Sequence, residues 1–319
     1  MNIKNIVLNR NVIISHFFYV YNYMLDLSVI ILTGNEEIHM KRCLDKIVPY
    51  VKEVFVIDCY STDRTIEIAQ QYDNVVILQN KWVNYATQFN WALRNAPIKT
   101  EWVLKLDADE YLEPGLIERM QKELPYMPEY VSAISIRLKH VFMGKFIKGG
   151  TGKKYMTRIF RNGKAVSENR QMDEHMELTS GELVVWEEAF YDDNLNNLKW
   201  WTNKHNGYAI REVADLLDIE YGLTTNEKNA LEGQAASQRS MKHRYAKMPL
   251  FWRAFLYFCI RYFLKGGILE GKVGFLWCFL QGWWYRTLVD AIIYEIKLKT
   301  KGDREKVREL LRVEYNIYL

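Results

Sequence analysis

From residue 27 the chain alternates short apolar runs with stretches of helical periodicity. Residues 27–32 (LSVIIL) make an apolar run of strand length interrupted only by Ser28, and 37–47 spaces its apolar positions three and four apart, which predicts a strand followed by a helix. A second strand over 53–57 ends at Asp58, after which Ser61 or Thr62 offers a hydroxyl to cap a helix reaching about residue 72. Strand 75–78, helix 85–95 and strand 102–106 continue the alternation, which is the pattern of a parallel α/β sheet. Beyond Pro114 the pattern turns strand-like over 133–141, 155–161 and 183–186, around the glycines Gly149, Gly150 and Gly152. A helix over 195–217 follows, then a polar, linker-like stretch over 222–247. Between 249 and 300 the composition shifts to aromatic, basic and glycine-punctuated, and the chain contains no internal repeat.

Composition refines this picture at three points. With 319 residues, 49% of them hydrophobic, the chain can bury a full α/β core and carry a smaller appendage. The net charge of +4 hides an asymmetry: residues 239–301 hold 12 basic and 3 acidic side chains, leaving the remainder net acidic. Cys43, Cys59, Cys259 and Cys278 have neither metal-ligand spacing nor the density of a disulfide scaffold, so buried thiols in a reducing compartment are expected. At the N-terminus Lys4 and Arg10 precede an apolar stretch over 12–25, but His16 and Asn22 interrupt it and no small-residue cleavage site follows. It is also shorter than the roughly 20 residues of a membrane span. Residues 1–25 are therefore read as an extension that can lie outside the fold.

Polar residues collect where the predicted strands end, the place where parallel α/β sheets bind ligands. Thr33, Asn35, Glu36 and Glu37 follow the first strand; Asp58, Ser61, Thr62, Asp63, Arg64 and Thr65 follow the second. The fourth ends in the acidic cluster Asp107, Asp109 and Glu110. Asp107-Ala-Asp109 sets two carboxylates on one side of an extended segment, which suits a hard divalent cation shared with a diphosphate. Taken alone, Asp-x-Asp is more often turn chemistry, and a capped helix would by itself explain Ser61 to Thr65. The three loops together point to a nucleotide site.

The segments LSVIILTGNEE, VFVIDCYSTDRT, WVNYATQFNWAL and EWVLKLDADEYL, in this order, resemble the family 2 inverting glycosyltransferases. The resemblance covers roughly residues 27–113. It implies a GT-A fold, a Rossmann-like nucleotide-sugar-binding α/β domain, here over 26–222, followed by a linker and amphipathic helical region over 223–319. It also implies Mg²⁺ or Mn²⁺ held through Asp109 with Asp107 assisting at the metal or ribose, and Asp58 at the base. Thr33, Asn35 and Glu36 would line the nucleotide pocket with Ser61 and Asp63, and the segment holding Trp82, Gln88 and Asn90 would border the donor. Farther on, RNRQMDEHMELTSGEL resembles the later acidic motif that supplies the catalytic base, here Asp173 or Glu174, with His175 beside them. KWWTNKHNGYAIRE resembles a helix common in lipopolysaccharide-type members. An inverting transfer needs such a carboxylate to take the acceptor hydroxyl's proton as its oxygen attacks the anomeric carbon. Arg158, Arg161, Lys204 and His205 are further candidates for phosphate contacts, although cations on strands and helices are usually solvated surface residues.

The resulting expectation is transfer of a hexose or N-acetylhexosamine from a nucleotide-diphosphate sugar, UDP-sugar foremost, to a lipid-linked saccharide or lipopolysaccharide-type acceptor. Polyprenyl phosphate as acceptor, or a non-catalytic nucleotide-sugar-binding membrane scaffold, are the alternatives. The Gln-x-x-Arg-Trp signature of processive members is absent. In the tail, Trp252, Phe255, Phe258, Tyr262, Phe263, Phe275, Trp277, Phe279, Trp283 and Trp284 are interleaved with Lys and Arg, the composition of helices that lie in the headgroup plane. An anionic membrane surface on the cytoplasmic side is the expected partner and nucleic acid is not, since the clustered leucines suit acyl chains or a core better than a wet interface. The competing reading is a packed helical subdomain with a contact to a second copy of the chain.

Overall fold

The computed structural model describes residues 24–168, 175–224 and 234–318. The chain divides into two compact units: one comprises the chain to Val141 together with Lys153–Leu195, the other Phe142–Gly152 with Asn196–Leu319.

The first unit is built on one mixed sheet. Its strands are β1 (Leu25–Thr33), β2 (Val51–Asp58), β3 (Val75–Gln79), β4 (Trp102–Asp107), β5 (Glu110–Leu112), β6 (Val131–Phe142), β7 (Lys154–Arg161) and, after a separate hairpin of β8 (Ala165–Ser167) and β9 (Met176–Leu178), β10 (Glu182–Asp193). They are ordered β3-β2-β1-β4-β7-β6-β10-β5. The first four run parallel, whereas β7 pairs antiparallel with both β4 and β6. This is the mixed, Rossmann-like α/β architecture expected from the sequence. β1 is central, and its apolar run is buried on both faces, as a strand covered by helices on both sides requires. One core holds Val29, Ile31, Met40, Leu44, Leu104, Ile134 and Phe190; the other, across the sheet, holds Ile30, Phe55, Phe89, Val103 and Phe160.

Three helices cover the parallel half: α1 (Glu37–Ile47), α2 (Thr65–Ala69) and α3 (Tyr85–Asn95). α1 and α3 have the predicted bounds, and Asn84 caps α3 by accepting the Thr87 N–H. α2 is much shorter than expected, and neither Ser61 nor Thr62 caps it. Asp63 instead accepts the Thr65 N–H at 2.9 Å, while the Ser61 hydroxyl turns back to Asp58. Side-chain bonds inside the loop thus outcompete helix initiation. A fourth helix, α4 (Pro114–Glu123), begins with proline at its first turn.

In the second unit α5 (Leu198–Tyr221), α8 (Tyr285–Thr300) and α9 (Arg304–Tyr315) share a core of Val213, Leu216, Leu217, Val289, Ile293, Val307 and Leu311. Helix 198–221, which the sequence reading assigns to the first domain, therefore packs among the C-terminal helices. Between them lie α6 (Trp252–Cys259), prolonged by a π-helical turn Ile260–Leu264, and α7 (Gly271–Trp277), also continued by π-helical geometry over Cys278–Trp284. Among the described residues no helix is long and apolar enough to cross a membrane.

Candidate active site

Register brings the predicted loops together. Thr33 lies opposite Asp58 in the β1–β2 pairing and Leu32 lies opposite Asp107 in the β1–β4 pairing, so all three strands end at one level. The parallel pairing that buries the apolar runs therefore delivers the polar residues to one end of the sheet, where α/β sheets bind ligands.

There the loops after β1 and β2 are laced together. The Ser61 hydroxyl accepts the Asn35 N–H at 2.8 Å, Asn35 Oδ1 accepts the Thr62 N–H at 2.8 Å, the Thr65 hydroxyl accepts the Glu36 N–H at 2.8 Å, and Asp63 accepts the Glu37 N–H at 3.0 Å. Asn35 sits in the left-handed region at φ 59°, which asparagine tolerates better than most residues. Asp63 is held below the ordinary carboxylate range: burial works to raise it, but the hydroxyl and N–H of Thr65 and the N–H of Glu37 outweigh burial. Asp58 is fully buried. Oδ2 accepts from the Ser61 N–H at 2.9 Å and Gln79 Nε2 at 3.2 Å, while Oδ1 accepts from the hydroxyls of Ser61 and of Thr33, the latter at 3.3 Å. Its roughly four lone-pair sites are thus all taken by the protein, so Asp58 orders the loop.

The acidic cluster divides into two kinds of carboxylate. Asp107 and Asp109 are half-buried. Asp107 Oδ2 lies 3.5 Å from Arg158 Nη2, and Asp109 Oδ2 accepts from Asn194 Nδ2 at 2.9 Å. Glu110 is buried, pairs with Arg158 at 2.5 Å and accepts the Asp107 N–H at 2.9 Å. Burial pushes its carboxyl up, Arg158 opposes, and Asp107, Asp109 and Asp192 push it further up. Glu110 and Arg158 accordingly form the floor of the site, and Arg158 is spoken for by carboxylates of the protein itself. Among the described residues no cluster of three His, Cys, Asp or Glu side chains could hold a metal by itself. The two half-buried carboxylates, hard oxygen donors at a strand end, suit a divalent cation that completes its sphere with ligand oxygens, and Asp107 and Asp109 are the residues that would hold it.

A further set of contacts has no counterpart in the sequence reading. Arg42 donates to Asp193 Oδ2 at 2.7 Å and to the Asp109 carbonyl at 3.2 Å. His39 is buried; its Nε2 accepts the Leu195 N–H at 2.9 Å, so the ring proton is on Nδ1, where it meets Glu36 Oε2 at 2.6 Å. Glu36, expected at the nucleotide, is thereby tied through His39 to Leu195, just past the end of β10. Partners 151 and 156 residues apart leave no local signal.

The remaining predicted residues make contacts within the protein. Gln88 is buried, and both ends of its amide bind Asn80, at 2.8 and 3.2 Å. Asn90 clamps Ser167, donating to its carbonyl at 2.7 Å and accepting its N–H at 2.8 Å. Arg161 lies over Trp102 and donates to the carbonyls of Val131, Met127 and Pro128. In the second unit His205 is buried, stacks on Trp201 and meets Gln281 at 3.1 Å, and burial lowers its basicity; Lys204 lies over Trp200. Asp173 and Glu174 lie outside the described residues. The four cysteines are free, and burial drives the Cys43 thiol well above its ordinary range, which leaves it inert.

The family model "Glycosyl transferase family 2" matches residues 28–170, from β1 through β8. An uncharacterized glycosyltransferase of Rickettsia felis is 34% identical over 101 residues, which cover 32% of this chain and 33% of that protein. The SPbeta prophage-derived glycosyltransferase SunS of Bacillus subtilis is 30% identical over 129 residues, covering 35% of this chain and 30% of that protein. The matched region thus spans about a third of these relatives' length. Among solved structures, S. aureus TarS 1–349 aligns over 91% of both chains with 17% identity and a TM-score of 0.43. Glucosyl-3-phosphoglycerate synthase of Mycobacterium tuberculosis, in complex with Mn²⁺, UDP and glucosyl-3-phosphoglycerate, aligns over 36% of this chain and 44% of that one, with 19% identity and a TM-score of 0.31. The similarity to the family model "Glycosyl transferase family 2" thus lies in residues 28–170, somewhat under half of this chain.

Proposed function

We propose that the protein transfers a sugar from a nucleotide-diphosphate donor, with inversion, to a saccharide acceptor carried on a lipid. The observation that supports this most is the common level at which Thr33, Asp58 and Asp107 leave the sheet, which gathers the laced nucleotide loops and the acidic cluster at one end of the sheet. In this reading the backbone and side chains of 33–37 and 61–65 hold base and ribose, and Asp58, which keeps their loop in shape, stands at the base. Asp107 and Asp109 face the diphosphate. A divalent cation bound there would neutralise charge developing on the leaving nucleotide. Arg158 and Glu110 hold Asp107 in place from below, and Arg42 and Asn194 fix Asp109. Asp173 or Glu174 takes the proton from the acceptor hydroxyl, on the strength of the sequence resemblance. UDP-sugar is the donor expected, and a lipid-linked or lipopolysaccharide-type saccharide the acceptor.

The test is release of nucleoside diphosphate across a donor panel with Mn²⁺ and acceptor-containing membrane extract. Asp109→Ala should lower the rate about a hundredfold or more, the loss corresponding to several kcal/mol of charge stabilisation. Equal release by the variant would refute the assignment of Asp109. Silence of the wild type toward every donor would favour a binding protein without turnover. If Asp173→Asn and Glu174→Gln singly and together leave the rate unchanged, an acceptor that is already an anion, such as a polyprenyl phosphate, takes the place of a neutral hydroxyl.

A further inference from the structure

The helix that starts at Trp252 is built with its polarity reversed. Its two arginines point inward: Arg253 and Arg261 are buried, the first donating to Asp290 at 2.8 Å and the second to the Gly150 carbonyl at 2.7 Å. Its outward stripe is Trp252, Phe255, Leu256, Ile260, Phe263 and Leu264, spaced three and four apart, with Trp252 66% and Leu264 80% exposed. The following turn adds Ile268 and Leu269, the latter 86% exposed.

Ring contacts make this one surface rather than scattered side chains. Trp252 meets Phe255, Phe255 meets Trp283, Trp283 meets Phe279, Phe279 stacks on Phe275, and Phe275 meets Tyr262 beside Phe263, with centroids 5.0–6.3 Å apart. Large contiguous apolar surface on a protein marks something that covers it.

The surface is also held rigid. Gly149 approaches Gly266 so closely that a Cβ there would lie 2.4 Å from the Gly266 carbonyl oxygen, and the Gly150 N–H donates to the Lys265 carbonyl at 2.8 Å. The glycines around 150 therefore brace the protruding turn. Phe251 takes a left-handed φ of 67°, anchored by its N–H on Asp290, and so starts the helix with Trp252 facing out.

Charge identifies the occupant. Between 248 and 290 the exposed charged residues are Lys265 and Lys272, on either side of the Ile268–Leu269 turn. The acidic residues there are engaged internally, Asp290 with Arg253 and Glu270 with Lys145 and the Gly149 N–H. A protein partner would be expected to meet some outward hydrogen-bonding groups, whereas an apolar face rimmed by lysines matches acyl chains beneath anionic headgroups. We infer that residues 252–275 form a monotopic membrane-binding face that sinks its aromatic and leucine side chains into an anionic bilayer, with Lys265 and Lys272 at headgroup level. This goes beyond the transferase reading and does not depend on it.

Flotation of the full chain with vesicles of phosphatidylethanolamine and phosphatidylglycerol tests the face directly. The wild type should float, and Leu264→Glu combined with Leu269→Glu should reduce the bound fraction about tenfold, while thermal melting stays as in the wild type. Hydrogen exchange of the wild type, which needs no variant, should slow over 252–275 when vesicles are added. Failure of the wild type to float, unchanged exchange over 252–275, or equal binding by the double variant overturns the inference. So does a vesicle-free dimer that the double variant splits, since the face would then serve a second copy of the chain. Equal binding to phosphatidylcholine vesicles overturns the assignment of anionic lipid.

Discussion

The acidic cluster around Asp107 and the helix beginning at Trp252 use similar side chains in opposite directions. In the first unit, apolar runs fill the interior and carboxylates gather at the strand ends, where Asp107 and Asp109 remain partly open to solvent. In the second, Arg253 and Arg261 turn inward and Trp252, Phe255, Leu256 and Phe263 turn outward. Each region also buries an arginine–carboxylate pair, Arg158 with Glu110 and Arg253 with Asp290, but with different surroundings. Arg158 has Asp107 as a second carboxylate at 3.5 Å, whereas Arg253 is otherwise served by the carbonyls of Tyr245 and Ala246. A buried ion pair is costly to break from one side because the charge left behind is uncompensated. The difference teaches that the acidic cluster keeps electrostatic slack for a charged ligand, while the inward charges of the second unit anchor an outward apolar face.

That contrast can be broken experimentally, beginning with its strongest link. Asp290→Ala should cost about 3–5 kcal/mol in urea unfolding, because it strands Arg253 and frees the Phe251 N–H together. If the loss is below about 1 kcal/mol, the pair is not what orients the helix. Glu110→Ala should cost less than Asp290→Ala in the same measurement, since Asp107 can take over Arg158; a donor-binding assay should nevertheless show weaker nucleotide affinity, because Asp107 is then drawn away from the ligand.

The smallest effect concerns the nucleotide loops. Asp63 is held below the ordinary carboxylate value, so its contribution to stability is complete above the unfolded pKa of about 3.9 and is lost as pH falls through the lower folded value. Wild type should thus exceed Asp63→Asn in stability at neutral pH, and the gap should close only below about pH 4. A gap that closes between pH 8 and 6 would exclude Asp63 as its source.

Much of this was legible in the chain itself. The bounds of α1 and α3, the strands of the parallel half and the polar clusters at their ends follow from short-range periodicity, which survives in any context where one face is buried. The helix expected over 61–72 shrinks to Thr65–Ala69 because Ser61 and Asp63 bond across to Asn35, Asp58 and Glu37, partners that local propensity does not include. Gln88 and Asn90 read as donor-side residues by their motif, and they clamp Asn80 and Ser167.

By itself, then, the sequence determined the strands and the two longer helices of the parallel half and which residues arrive at the strand ends, since hydrophobic spacing and chain order act over a few residues. Only the tertiary structure decided the rest: that Asp58 spends its acceptors inside the protein, that Arg42 reaches Asp193 and the Asp109 carbonyl, that helix 198–221 packs with the C-terminal helices, and that the arginines of 252–264 face inward. The physical reason is common to all four. Whether a polar group is satisfied, and which side of a helix is buried, depends on what packs against it, and those neighbours come from distant parts of the chain.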